Sequence, residues 1–146
     1  MSLQDRLVRA SRGRVVGRAA YLWLKALGVE FPRSVEFGPR LELAHGAVGL
    51  VVHARTRIGS GVTLMPGVVL GRSDSYIAET PESTGRIVVG DRVTVGAGAK
   101  VLFKSGEDLV IADGTIVGAN AVLLESTGAD EIWAGNPARR VGARRV

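Results

Sequence analysis

Cysteine is absent from the 146-residue sequence. Disulfides, thiolate-bound zinc and a cysteine nucleophile are thereby excluded, and a reducing cytoplasm is the expected setting. Aromatic residues make up only 5%, against 46% for apolar residues as a whole, so a core must be built from Val, Ile, Leu and Ala. No apolar run approaches the ~20 residues of a membrane span. The start Met1-Ser2-Leu3-Gln4-Asp5 also lacks the apolar stretch of a secretory signal. A soluble protein without membrane association is expected. Histidine is confined to His45 and His53, too few with no Cys to suggest a metal-ligand set, so no metal is expected.

What is present is glycine, 20 residues of it, and arginine gathered toward the two ends. Arg6, Arg9, Arg12, Arg14 and Arg18 form one cluster, and Arg139, Arg140, Arg144 and Arg145 the other, within a formal charge of +5. Such clusters attract anions. Nucleic acid is not expected, because the interleaved aromatics that stack on bases are missing and no helix-turn-helix signature appears. A phosphorylated small molecule accounts for the charge with fewer assumptions.

From Val52 the chain repeats with a period of six. Val52, Ile58, Leu64 and Leu70 form one series, Val89, Val95 and Val101 a second, and Ile111, Val117 and Leu123 a third. Short fixed periods signal a repeat architecture, and six-residue steps correspond to a parallel β-helix. Three steps make one triangular coil, and each aliphatic residue stacks inside the prism on its equivalent from the next coil at the ~4.8 Å interstrand spacing. Val62, Val68, Val93, Ala99, Thr115 and Ala121 suit the insides of the corners, with Gly61, Gly67, Gly98 and Gly114 supplying turns. An amphipathic helix is excluded, since a six-residue step does not hold one face at 3.6 residues per turn.

Residues 1–30 read differently. Leu7, Val8, Val15, Val16, Ala19, Ala20, Trp23, Leu24 and Leu27 suit one or two helices ending at Gly28. Capping the open end of the coil is the expected role, because an uncapped end leaves backbone groups unpaired. The remaining unit, 31–146, carries two interruptions, Arg72 through Arg86 and a shorter one around Lys104–Asp108. Each should loop out from a corner.

Two motifs carry chemistry. Leu43-Ala44-His45-Gly46-Ala47-Val48-Gly49-Leu50-Val51-Val52 places a histidine before a glycine and an aliphatic strand, and Ala134-Gly135-Asn136-Pro137-Ala138-Arg139 lies near the end of the chain. With the repeat, these make the segment from about Val35 to Gly142 resemble the hexapeptide-repeat acyltransferases, and within them the serine acetyltransferase branch and its small sugar-modifying relatives. The resemblance implies an all-β fold, a left-handed parallel β-helix with an N-terminal α-helical cap. It implies acetyl-CoA as cosubstrate, a homotrimer with sites between subunits, and His45 as general base. Histidine suits that task because its pKa lies near working pH. The resemblance further implicates Ala97 and Ala119 along the pantetheine, and Asn136, Arg139 and Arg140 at the CoA end; arginines suit phosphates.

The sequence also departs from the family pattern. The serine enzymes carry Asp immediately before the catalytic His, where this chain has Ala44, so another orienting group is needed, and Glu42 and a backbone carbonyl are the candidates. Their Arg-His pair is missing from the stretch Glu82-Ser83-Thr84-Gly85-Arg86. The expected activity is therefore O-acetyl (or N-acetyl) transfer to a small hydroxyl-bearing acceptor of sugar type. Serine acetylation and a non-catalytic binding or assembly module are the alternatives. Asp74 and Tyr76, on the longer interruption, are candidates for acceptor contact, whereas His53, just after Val52, is read as an exposed structural residue.

Overall fold

A computed structural model describes residues 1–145; Val146, the last residue of the expected second unit, lies outside the described residues. The chain opens with α1 (Leu3–Ala10) and α2 (Gly17–Ala26), then runs through β1 (Glu36–Phe37), β2 (Glu42–Leu43), β3 (Val51–Val52), β4 (Thr56–Ile58) and β5 (Thr63–Leu64). There follow β6 (Val69–Arg72), β7 (Arg86–Val89), β8 (Thr94–Val95), β9 (Lys100–Phe103) and β10 (Asp108–Ile111). The last strands are β11 (Ile116–Val117), β12 (Val122–Leu123), β13 (Glu131–Gly135) and β14 (Ala138–Ala143).

As far as β12 every third strand pairs in parallel, and β13 then joins β11, giving three sheets in the orders β1-β4-β7-β10, β14-β13-β11-β8-β5-β2 and β12-β9-β6-β3. Only the β13–β14 pair is antiparallel. The six-residue period explains this layout. Ile58, Val89 and Ile111 stack in the first sheet, Leu64, Val95 and Val117 in the second, and Leu70, Val101 and Leu123 in the third, none more than 5% exposed. The corner residues Val62, Val68, Val93, Ala99, Thr115 and Ala121 are fully buried. The architecture is a three-sided parallel coil with one continuous core and two helices.

The helices lie against the first coil and satisfy its free edge. An Asp5 carboxylate oxygen accepts from the Leu43 N–H (2.7 Å), Arg9 donates to the Leu41 carbonyl, and Arg12 donates to the Phe37 carbonyl. Asp5 also forms a capping box with Ser2, so one side chain starts the helix and joins it to the coil. Val8 and Leu24 enter the coil's own core. At the end of α2 the Gly28 N–H bonds Lys25 O and the Val29 N–H bonds Leu24 O, with Gly28 at φ +78. This Schellman ending turns the chain directly into the first coil. Among the described residues no helix is long and apolar enough to cross a membrane.

Both interruptions leave the same corner, between the third and first sheets, and they stack. The Ser105 N–H and hydroxyl both donate to Asp74, and the Gly106 N–H donates to the Thr84 carbonyl.

Candidate functional site

His45 sits at the corner between β2 and β3, and this corner is irregular. Leu43 lies opposite Leu64 but Val51 opposite Val69, so the turn holds three more residues than its counterpart one coil on. The surplus is taken up in a 3₁₀ turn, Ala44–Ala47, with φ of 52 at His45, 76 at Gly46 and 46 at Ala47. Left-handed backbone is natural for glycine, but it costs of order 1 kcal/mol or more at histidine and alanine. The surroundings hold it in place. Ala47 is fully buried, the Gly49 N–H donates to the Gly28 carbonyl, and a Cβ on Gly46 would meet the Gln4 amide at 2.8 Å. The strained turn projects His45 into solvent while Ala44, Gly46 and Ala47 stay buried.

The imidazole opens onto a groove of about 310 Å³ between α1 and β2, lined among others by Arg9, Arg40, Glu42, Ala44 and His45. Glu42, the expected orienting group, shares this groove but does not hold the ring. Among the described residues no hydrogen bond joins the two, because Glu42 projects from the strand whereas His45 lies past its end in the left-handed turn.

The same corner carries a column. Pro66, Ala97, Ala119 and Gly135 lie two places beyond Leu64, Val95, Val117 and Trp133, which are paired in register. Across the three-residue surplus Val48 stands over Pro66, its carbonyl accepting the Gly67 N–H at 2.9 Å, with His45 in the surplus just before it. Backbone bonds tie the steps together: Gly98 N–H to Pro66 O, and Asn120 N–H to Ala97 O, both 2.9 Å. Ala97 and Ala119 are exposed on this ridge. The spacing between neighbouring coils is tight, for a Cβ on Gly96 would lie 2.6 Å from the Ala119 nitrogen. The result is a shallow, small-residue edge leading from the imidazole toward the C-terminal hairpin. Lys100, which no motif singles out, is fixed beside it by bonds from Nζ to the carbonyls of Gly67 (3.0 Å) and Gly98 (2.6 Å).

The C-terminal motif forms the turn of the hairpin: Asn136 and Pro137 link β13 to β14. Arg139 and Arg140 do not act side by side, because successive residues of a strand face opposite ways. Arg140, opposite the inward-facing Trp133, lies 3.4 Å from Glu131; Arg139, on the outer face, lies 3.9 Å from Glu125. Glu131 is held below the ordinary carboxylate pKa by hydrogen bonds from the Trp133 indole and the Gly128 N–H, then by Arg140.

Asp74 and Tyr76 stand on a different corner of the same chain from His45. Asp74 is 6% exposed and engaged by Ser105, with the Arg72 guanidinium 3.6 Å away. Burial raises its pKa, but the Ser105 bonds and Arg72 outweigh this and leave it below the usual value. It therefore anchors the loop. Tyr76, by contrast, is 86% exposed.

His53 is not the exposed residue expected. Its side chain is 20% exposed, its ring packs edge-on against Phe103 at 5.0 Å, and Nε2 lies 3.4 Å from Glu79. Its pKa is lowered, chiefly by burial, with the Glu79 charge opposing. The two interruptions cover it, a long-range effect invisible in the local pattern. Among the described residues no group of three or more His, Cys, Asp or Glu side chains is placed to hold a metal.

Comparison with known proteins places this geometry. No family model matches the chain. The serine acetyltransferase of Mycobacterium tuberculosis is 38% identical over 98 residues, which are 65% of this chain and 40% of that protein. Soybean serine acetyltransferase, solved as the apoenzyme, superposes with a TM-score of 0.71 at 25% identity, covering 95% of this chain and 56% of the other. The Brucella abortus enzyme solved with coenzyme A gives 0.72 at 21% identity, covering 97% and 55%, a likeness of fold alone. The chain spans about half the length of these relatives. In sequence and in fold it is similar to the serine acetyltransferases, and its three-sided coil is that of the hexapeptide-repeat acyltransferases.

Proposed function

We propose that the chain is an acetyl-CoA-dependent O-acetyltransferase with His45 as general base and the Pro66–Ala97–Ala119 ridge as the track for pantetheine. The observation that carries this reading is the juxtaposition of an exposed, unpartnered imidazole with that ridge at one corner of the coil. The acceptor hydroxyl gives its proton to the imidazole as its oxygen attacks the thioester carbonyl. The carbon–sulfur bond then breaks, the acetyl group stays on the acceptor oxygen, and the proton passes from the imidazolium to the departing thiolate. Backbone N–H groups at the glycine-rich corners are suited to the developing oxyanion. Asn136 and Arg139 face the far end of the track and suit the nucleotide phosphates, with Arg140 joining only if it leaves Glu131.

The relatives favour serine over the sugar-type acceptor as the substrate, since each of those reported above is named for serine. The coil is read as left-handed, with residues 1–30 as the helical cap and 31–146 as the catalytic unit in a cytoplasmic homotrimer. Within one chain the loop bearing Asp74 and Tyr76 stands on a different corner from His45, so acceptor contact from this loop requires a neighbouring subunit. Light scattering at 15.3 kDa rather than three times that mass would remove the trimer.

His45→Ala should lower turnover about 10²-fold or more while acetyl-CoA affinity, measured by calorimetry, stays within about twofold. Undiminished turnover would exclude His45 from the chemistry. Absence of any saturable acetyl-CoA heat in the wild type would point instead to a non-catalytic scaffold.

A further inference from the structure

The groove beside His45 contains an unusual set of uncommitted charges. Arginines elsewhere on the coil are engaged: Arg55 and Arg72 approach Glu79, Arg57 bonds Glu36, Arg86 lies by Asp108, Arg92 by Asp130. Arg40 is the exception on this wall. Among the described residues it donates no hydrogen bond and forms no ion pair, and the same holds for Glu42 and His45, its companions along the groove. Of the other charged groups of the groove, Met1 carries the amino terminus, whereas Asp5 and Arg9 are already occupied. Both Asp5 oxygens accept backbone N–H groups, from Leu43 and Ser2, and Arg9 donates to the Leu41 carbonyl. Arg40 is also held at φ +58, a left-handed conformation unfavourable for a side chain with a Cβ, at the corner that leads into β2.

Arg40, Glu42 and His45, without side-chain partners among the described residues, thus line a single groove of about 310 Å³, with Met1 at its margin. Glu42 and His45 are three residues apart, so their Cα atoms lie within about 10 Å, and both line the groove. A neutral sugar has no use for such a pair. A hydroxy-amino acid presents a carboxylate, an ammonium and a hydroxyl within one small molecule.

We infer that Arg40 and Glu42 are the acceptor-recognition residues, Arg40 taking the carboxylate and Glu42 the ammonium of a serine-like zwitterion whose hydroxyl is thereby set against His45. This rests on His45 being the base of the site. It assigns to this chain a carboxylate grip beside the imidazole itself. A charge-assisted contact from guanidinium to carboxylate is among the stronger polar interactions available to a small ligand.

The test is calorimetric titration of L-serine into the wild type, Arg40→Gln, Glu42→Gln and His45→Ala, with L-serine methyl ester as the carboxylate-masked probe. Arg40 and Glu42 are exposed, so the variants should fold, and circular dichroism melts verify this. Serine affinity should fall about tenfold or more in Arg40→Gln and in Glu42→Gln, and by less than about threefold in His45→Ala. The ester should bind weakly to the wild type and no more weakly to Arg40→Gln. Unchanged serine affinity in the Arg40 and Glu42 variants would overturn the inference, as would an absence of serine binding in the wild type. The two readings fail differently. His45-dependent acetylation of a neutral sugar without serine binding removes the acceptor inference and leaves the base in place. Full turnover in His45→Ala removes the base, and the serine affinities still decide the roles of Arg40 and Glu42.

Discussion

Gly96→Ala isolates the close approach of neighbouring coils on which the ridge depends. A Cβ there would lie 2.6 Å from the Ala119 nitrogen and 2.9 Å from both the Gly118 carbonyl carbon and the Val117 oxygen. All three are backbone atoms of the next coil, whose position is set by the 2.8 Å bond from the Gly96 N–H to Val117 O. No flexible side chain can move aside, so the methyl group must separate the coils, a strain of about 1–3 kcal/mol. For a chain of this size that corresponds to a fall in Tm of roughly 3–10 °C. Gly71→Ala is the control. Its Cβ would meet only the Val69 and Leu102 side chains, at 3.4 and 3.6 Å, and its backbone is not left-handed. That variant should be unchanged, or more stable by up to about 1 kcal/mol through a less free unfolded chain. Thermal melts at matched protein concentration, needed because association shifts apparent stability, read both values. Acetyl-CoA affinity should drop in Gly96→Ala alone, since Ala97 moves with its neighbour. Equal melting temperatures in the two variants would refute the argument that backbone proximity sets the corner.

Two further outcomes follow from side chains that bridge distant parts of the fold. Asp5→Ala removes the acceptor for the Leu43 N–H together with the capping box, and should cost about 1–3 kcal/mol. Urea denaturation would show it as a lower midpoint at unchanged slope, and an unmoved midpoint would discount the bridge. Stability should also decline on acidification. Because burial chiefly holds His53 below its ordinary value of 6.5, its protonation favours the unfolded chain, so stability is intact above that value and falls as pH drops below it. Asp74, Glu30 and Glu131 are likewise held below the ordinary 3.8 and 4.5, and their contribution is lost later, as pH falls through their lowered values. A melting temperature flat between about pH 7 and 5 would rule out the His53 step, and His53→Gln should abolish it.

The periodic parts of the molecule were legible in the sequence because each aliphatic residue answers a local rule. Val52, Ile58 and Leu64 step from sheet to sheet as a six-residue count requires, and Gly28 ends α2 where a left-handed residue was needed. His45 was legible only through its motif. Its three-residue surplus is visible as a broken count, but the left-handed turn that exposes the ring depends on α1 packing against it. Contacts across long separations left no local trace. Asp5 bonding Leu43, Glu79 reaching His53 and Arg140 turning to Glu131 all arise when coils and loops meet. For the same reason the Arg40–Glu42 groove was hidden: its far wall is α1, 30 residues upstream.

Finally, the reversal of direction between β13 and β14 changes the edge that one of the three sheets presents. A column of identical rungs has no intrinsic length, and a bare parallel edge would invite the same edge of another molecule, as in cross-β assemblies. Here the final strand runs backwards and bears exposed Arg139 and Arg140, so a second copy approaching end-on meets mismatched polarity and like charge. At the other edge of that sheet Asp5 and Arg9 of α1 bond to Leu43 and Leu41, so neither edge of the sheet is left as a bare parallel strand.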